Sequence, residues 1–366
     1  MAIDLSLVPD GGMSWADASG PDSHIVLSTR VRLARNLQGT AFTTRARDED
    51  RERIFEEVVG AGQGTRSLGP DAAVFRLEAL DRADRQLLYE RHLISKELAA
   101  LDAAARVRPG SGLVLAGDVG IMVNEEDHLR LQSLYSGFAL PRAYGALERL
   151  DRELGARLPF AFHPEFGYLT ACPTNAGTGL RASVLIHLPG LVLTKEIAKV
   201  LQGLSQVGLT FRGLYGEGSE VVGNFFQLSN QTTLGKSEEE LLDHLGKIVR
   251  QVIAYEEQAR QVLLRDAPSV IADKVWRAYG LLRYARSLSF EETMNLLSGV
   301  RLGVGLNLIP DLGVYTLNKL MIFSQPAHLA QLAGRPLADP DLAVARATFV
   351  RRLLEEDAGR ARTQAT

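Results

Sequence analysis

Residues 24–37 read HIVLSTRVRLARNL, and the fold follows from taking this stretch as an extended strand. The β-branched Ile25, Val26 and Val31 suit a pleated backbone better than a helix, where the preceding turn restricts their χ1. Because side chains alternate along a strand, Arg30 and Arg32 project to the same side. Two parallel guanidinium groups make a phosphate clamp, and equally make a pair of surface arginines on an edge strand. The stretch by itself leaves both readings open.

Working outward, helical spacing appears over 48–62 and over 81–100, where Leu87, Leu88, His92 and Ser95 recur every three to four residues. FRLEAL (75–80), GLVLAG (112–117), GIMVN (120–124) and HLRLQSL (128–134) read as strands. A helix is expected over 141–156, then strands at FGYLT, RASVLIHL and LTFRGL. From Ser237 the texture turns helical. SEEE (237–240) has the form of a capping box, and Leu241, Leu245, Ile248, Val249, Val252 and Ile253 make one apolar face behind it. Further helices are expected at 267–286, 289–302, 311–323, 326–334 and 340–356. The fold class is therefore α+β, an antiparallel-rich sheet flanked by helices followed by an all-helical C-terminal domain. Residues 1–23, rich in Gly, Asp, Ser and Pro, are expected to be a loosely ordered lead-in. The first domain then covers 24–256 and the second 257–366.

A chain of 366 residues is long enough for two cores, since single cores stop growing at about 250–300 residues. With 46% hydrophobic and 23% charged residues it has an ordinary globular composition, and no apolar run approaches a membrane span of about 18 residues. The opening MAIDLSLVPDGG lacks the basic cluster of a secretory signal. One cysteine rules out an intramolecular disulfide framework and a Cys-rich zinc site, so a reducing cytoplasm is the expected setting. The net charge of −3 argues against broad nucleic-acid binding. Arginine outnumbers lysine by 34 to 7, so only arginines in particular settings carry information.

Four such settings follow. Arg130 ends NEEDHLR, Arg181 closes the turn CPTNAGTGLRASV that begins at Cys172, and Arg212 opens FRGLYGEGSE. With the pair Arg30 and Arg32, each adjoins a strand and a turn. A planar fork that is always charged suits a polyphosphate better than a lysine does. Opposite them stand the acidic clusters NEEDH (124–128) and GEGSE (216–220). Phosphoryl transfer needs phosphate neutralisation and a positioned nucleophile, and carboxylates position a nucleophile that is itself a cation. No Walker A sequence and no HRD or DFG motif occurs, so ATP use has to rest on an arginine-based site.

STRVRLARN, NEEDHLR, CPTNAGTGLRAS and RGLYGEGSE, in this order, resemble the catalytic domain of the ATP:guanidino phosphotransferases, the family of arginine and creatine kinases. The whole chain, including RLGVGLNLIPDL and QPAHLAQLAG, is similar to the bacterial branch that phosphorylates arginine in proteins. The resemblance implies that Arg30, Arg32, Arg130, Arg181 and Arg212, with His92, hold ATP. Around them the same motifs imply ATP contacts by Ser28, Thr29, Val31, Ala182, Ser183, Val184, Leu185, Gly213, Leu214, Tyr215, Gly216 and Glu217. It implies that Glu126 and Glu220 orient the acceptor guanidinium and take its proton, with Cys172 beside it as a thiolate. Mg²⁺ would be carried on the nucleotide phosphates, with no metal ligands from the protein. The implied partners are protein substrates with exposed arginines, an activator protein, a Clp-type unfoldase or protease, and a second copy of the chain. The implied setting is protein quality control or a stress-response repressor.

Three departures from the family pattern refine this. Small-molecule members carry a helical domain before the first arginine motif, where 23 residues stand here, and they have an arginine where Tyr215 stands. Both differences point to acceptor arginines on proteins rather than free arginine or another small guanidine. The bacterial branch has an Arg-Asp-x-x-Arg-Ala element that binds phosphoarginine, and here Leu342 to Ala347 reads LAVARA, keeping only Arg346 and Ala347.

Overall fold

The computed structural model describes residues 13–102, 104–214 and 221–364, with side chains to residue 357. In chain order come β1 (Val26–Arg35), α1 (Asp48–Gln63), β2 (Ala73–Arg76), α2 (Arg82–Glu90), β3 (Gly112–Ala116), β4 (Val119–Val123), β5 (Leu129–Ser136) and α3 (Leu140–Gly155). A short hairpin, β6 (Phe162–His163) with β7 (Gly167–Tyr168), leads to β8 (Leu180–His187), α4 (Pro189–Leu193), α5 (Ile197–Gln206), β9 (Leu209–Arg212) and β10 (Phe225–Asn230). The rest is helical: α6 (Glu238–Asp266), α7 (Pro268–Tyr284), α8 (Phe290–Gly305), α9 (Val314–Phe323), α10 (Pro326–Ala333) and α11 (Asp339–Gln364).

β1 is the middle of the sheet, not its edge. Eight strands lie in the order β2-β3-β4-β5-β1-β8-β10-β9, and every pairing is antiparallel. Alternation sorts the two faces. Val31, Leu33, Leu131, Ala182 and Val184 point to a core closed by α3 and α6, where Leu147, Leu150, Leu245 and Val249 are buried. Arg35 shares that side, and its guanidinium forms a two-pronged bridge to Asp151 of α3 at 2.8 and 2.9 Å. It also lies over the ring of Tyr168, 3.5 Å from the centroid. The third arginine of STRVRLAR is thus structural, while the first two face the other way.

α6 starts with the expected capping box: the Ser237 hydroxyl accepts from the Glu240 amide, and the Glu240 carboxylate accepts from the Ser237 amide. Further along, the fully buried Glu256 accepts from the amides of Gly190 and Leu191 and pairs with Arg260 at 2.7 Å. A carboxylate on one helix thereby caps the N-terminus of another, a stabilising placement for negative charge. The helix runs unbroken through residue 256, so the two parts of the chain share a rigid element.

The second core is built from α7, α8, α9 and α11, and it also takes in Leu134 and Leu185 from the end of the sheet. The segment expected to be loose joins it. Met13, Trp15 and Ala16 are buried there, and Arg301 and Asn318 hold the carbonyls of Ser23 and Ala16. Its polar composition hides three well-packed side chains. No helix among the described residues is long and apolar enough to cross a membrane.

The helix expected over 81–100 stops at Glu90. Glu90 is captured by the N-terminus of α10: its carboxylate accepts from the Ala327 amide and from His328 Nδ1, the latter at 2.8 Å. His92 then takes a left-handed backbone, φ 59°, and Leu93, Ile94 and Leu98 continue as turns into a small core under β3. A long-range carboxylate contact ends the helix, which its local periodicity cannot foretell.

Candidate active site

Register fixes the face of every arginine. Arg32 stands directly opposite Arg181 on one neighbour, Arg30 opposite Ser183, and Ala34 opposite Arg130 on the other neighbour. Ser183 faces Ser229, and two residues along the same strand Gln227 faces Arg212. Directly opposed residues share a face, so all five arginines project from the side of the sheet away from α3. They line one cavity of about 740 Å³ together with Tyr89, His92, Glu125, Glu126, Asn175 and Gln227. The sheet thus converts period-two alternation in four strands into a single cationic surface.

Its electrostatics are those of an anion site. Burial first, then Arg130 and Arg181, pull Arg30 down to about 10, and burial, then Arg30, Arg130 and Arg181, pull Arg32 down as well. Among the described residues the half-buried Arg32 Nε has no hydrogen-bond partner. Arg130 goes up despite its burial, because the nearly buried Glu125 carboxylate lies 2.5 Å away. That pairing aims Arg130 and leaves Glu126, the next residue, exposed at the cavity. Polyphosphate oxygens fit this set: they would satisfy the donor of Arg32 and neutralise the row.

The acidic turn is held rigidly. Asn124, in a left-handed conformation, donates to the carbonyls of Arg51 and Gly110 at 2.9 and 2.8 Å. Asp127 Oδ1 accepts from Asn36 Nδ2 and from the Ala171 amide, both at 2.6 Å, and so joins the end of β1, the acidic turn and the Cys172 loop. Asn175 reaches Glu126 Oε2 at 3.4 Å. Cys172 Sγ lies 3.0 Å from the Thr174 hydroxyl, three residues before that asparagine. The loop's glycines are needed for closure. At Gly177 (φ 105°) a Cβ would sit 2.4 Å from the Thr233 carbonyl, and at Gly179 (φ 65°) 2.6 Å from that of Ala34.

The sequence-expected residues therefore divide. Arg30, Arg32, His92, Glu126, Arg130, Arg181 and Arg212 meet in the main cavity. Ser28, Ser183, Leu185 and Leu214 line a small extension of it beside Trp15, whose ring meets His92 edge-on at 5.1 Å. Alternation turns the side chains of Val31, Ala182 and Val184 into the helical core, while their backbones pair within the sheet. The Thr29 hydroxyl donates to the Gly137 carbonyl and accepts from the Ala139 amide. Gly213 is buried beside Arg212. Tyr215, Gly216, Glu217 and Glu220 lie outside the described residues. The sequence reading missed Glu125 and Gln227, the latter 3.4 Å from the Arg30 guanidinium, and also Arg51, Arg106 and Arg108. Glu125 was within reach of it as the carboxylate nearest Arg130 in NEEDHLR. Arg346, the retained arginine of LAVARA, is buried and donates to the carbonyls of Ser324 and Leu288 at 2.8 and 2.9 Å, while Ala347 is fully buried.

Four histidines are held neutral. Burial pulls His92 to about 3 and pushes His128, His187 and His328 below their ordinary value. The unfolded chain takes up protons below about pH 6.5 that the folded chain does not, so stability falls as pH falls, by up to about 1.4 kcal/mol per pH unit for each histidine. The urea midpoint is expected to drop between about pH 7.5 and about pH 5.5. The raised carboxylates Asp127 and Glu256 act in the opposite sense, adding stability as pH falls through their folded-state values. A midpoint that stays flat over this window would contradict the assignment of neutral histidines.

Residues 54–259, which carry most of this arginine-faced sheet and the carboxylate at its rim, match the C-terminal catalytic domain of the ATP:guanido phosphotransferases. Residues 268–365 match the protein-arginine kinase McsB C-terminal domain. The protein-arginine kinase of Pelotomaculum thermopropionicum is 46% identical over 343 residues, 92% of this chain and 94% of the relative. That of Symbiobacterium thermophilum is 46% identical over 347 residues, 94% and 97% of the two chains. Among solved structures, a lombricine kinase superposes with a TM-score of 0.56 at 25% identity, covering 70% of this chain and 71% of that one. The duplicated taurocyamine kinase from Schistosoma mansoni gives 0.56 at 27% identity, covering 75% of this chain and 42% of that longer one. The chain belongs to the protein-arginine kinase family of ATP:guanido phosphotransferases.

Proposed function

We propose that this chain transfers the γ-phosphate of ATP to the guanidinium of arginine side chains in proteins. The observation that carries the reading is one cavity in which Arg30, Arg32, Arg130, Arg181 and Arg212 meet the exposed carboxylate of Glu126. The five guanidinium groups bind the phosphates and spread the charge that builds up during transfer. Mg²⁺ would be carried on the nucleotide phosphates, where it would add to that neutralisation. Glu126, with Glu220, holds the acceptor guanidinium and takes a proton from one of its nitrogens. That nitrogen then bonds to the γ-phosphorus as the bond to the β-phosphate oxygen breaks and ADP leaves. Cys172 orients the acceptor electrostatically and forms no bond. Residues 24–256 carry the reaction, and the helical residues 257–366 buttress it through Glu90 and α10. The cytoplasm is the proposed location. An activator, a Clp-type protease and a second copy of the chain are the proposed partners.

The test is incubation with ATP and an arginine-rich unfolded protein, followed by mass spectrometry at neutral pH. Phosphoarginine on the protein, with far slower turnover of free arginine, is expected. No phosphoarginine, or faster turnover of the free amino acid, would overturn the reading.

A further inference from the structure

Three arginines of the cavity do not belong to the sheet. Arg51 comes from the first turn of α1, and Arg106 and Arg108 from the loop before β3. They are fastened to the acidic turn rather than to the row of five. Asn124 bonds the carbonyls of Arg51 and Gly110 together, the Arg51 guanidinium donates to the Thr43 carbonyl, and the Thr43 hydroxyl donates to the carbonyl of Glu126. The loop cannot drift away, because Gly110 (φ 70°) packs so closely that a Cβ there would lie 2.5 Å from the Arg51 backbone.

None of the three is in an ion pair among the described residues. Arg51 is 2% exposed, and among the described residues its Nε has no hydrogen-bond partner. Arg106 and Arg108 make no ion pair among the described residues, whereas the nearby Lys96 is neutralised by Asp102 at 2.7 Å. Burial, and next the proximity of Arg108, lower Arg51, with only Asp48 opposing. A cationic acceptor entering toward Glu126 meets this group of like charges, and like charges a few ångströms apart repel appreciably near a protein surface. A neighbouring anion on the acceptor segment removes the penalty.

We propose that Arg51, Arg106 and Arg108 form a carboxylate-binding subsite at the acceptor end of the cavity, selecting target arginines that have an Asp or Glu close by in the same segment. The proposal rests on the protein-arginine kinase reading above. The full chain is assayed at saturating ATP with two synthetic peptides that differ only in whether the single arginine is flanked by Glu or by Gln. Wild type should favour the Glu peptide about fivefold in kcat/KM, through the peptide KM, as a partly exposed charge-assisted contact allows. With Arg106→Gln plus Arg108→Gln the ratio should fall to about one, and with Arg106→Glu plus Arg108→Glu below one. A ratio between peptides cancels any loss of folded enzyme. The proposal is overturned if wild type shows no preference for Glu or if both variants keep the wild-type ratio. It is equally overturned if the variants raise the KM for ATP with the ratio unmoved. Failure to phosphorylate any peptide or protein instead removes the kinase reading on which the subsite depends.

Discussion

Arg32→Met is expected to lower kcat by about a thousandfold or more, on the scale of other arginines that stabilise phosphoryl transfer, while raising the melting temperature of the nucleotide-free protein. Arg32 stands half-buried on the central strand with Arg181 directly opposite and Arg30 two residues away. Burial and these neighbours push its charged form in the unfavourable direction, and its Nε has no partner among the described residues. Methionine keeps an unbranched side chain of similar reach and removes the repulsion, so relief of about 1 kcal/mol, or about 2–4 °C, is expected. Addition of ATP reverses the order, because only wild type gains the full row of phosphate contacts. Thermal melts with and without nucleotide, beside turnover, check both halves. A variant that is less stable without nucleotide and keeps its activity would contradict the phosphate role.

Glu126→Gln is expected to lower kcat by about 10²–10⁴-fold, the range for loss of a positioned general base. The amide has the shape of the carboxylate but neither the charge to hold a guanidinium nor the basicity to take its proton. The fold should be unaffected, since the side chain is exposed and the turn is fixed by Asn124 and Asp127. ATP affinity should change little, because the phosphates face the sheet arginines. Nucleotide titration separates this outcome from general damage: weakened ATP binding to match the lost turnover would assign Glu126 a different role.

What could be read in advance was what depends on near neighbours in the chain. Two-residue alternation put Arg30 and Arg32 on one face, and the Ser237 capping box announced α6. What could not be read depends on distant partners. α2 ends because Glu90 meets α10, and α4 starts where Glu256 of α6 caps it. β10, FFQLSN, did carry a local signal: Phe226 and Leu228, in the core, alternate with Gln227 and Ser229 on the arginine face. The same alternation sorts the site. Contiguous motifs invite a contiguous binding list, yet Val31, Ala182 and Val184 are turned to the core between the arginines that line the cavity. Arg51 of α1 meets Arg106 and Arg108 only because their loop packs against it, and no spacing in the chain marks the helix and the loop as neighbours.

The central claim is that one cavity joins an arginine-bound ATP to an acceptor arginine held by Glu126. Its most direct test is a single-turnover reaction with γ-labelled ATP and an arginine-rich protein, run with wild type and Glu126→Gln and quenched at neutral pH. The account predicts label on arginine in the wild-type reaction, lost on acid treatment as a phosphoramidate should be, and little label with the variant. Acid-stable label on hydroxyl side chains, or equal labelling of arginine by the two proteins, would contradict it.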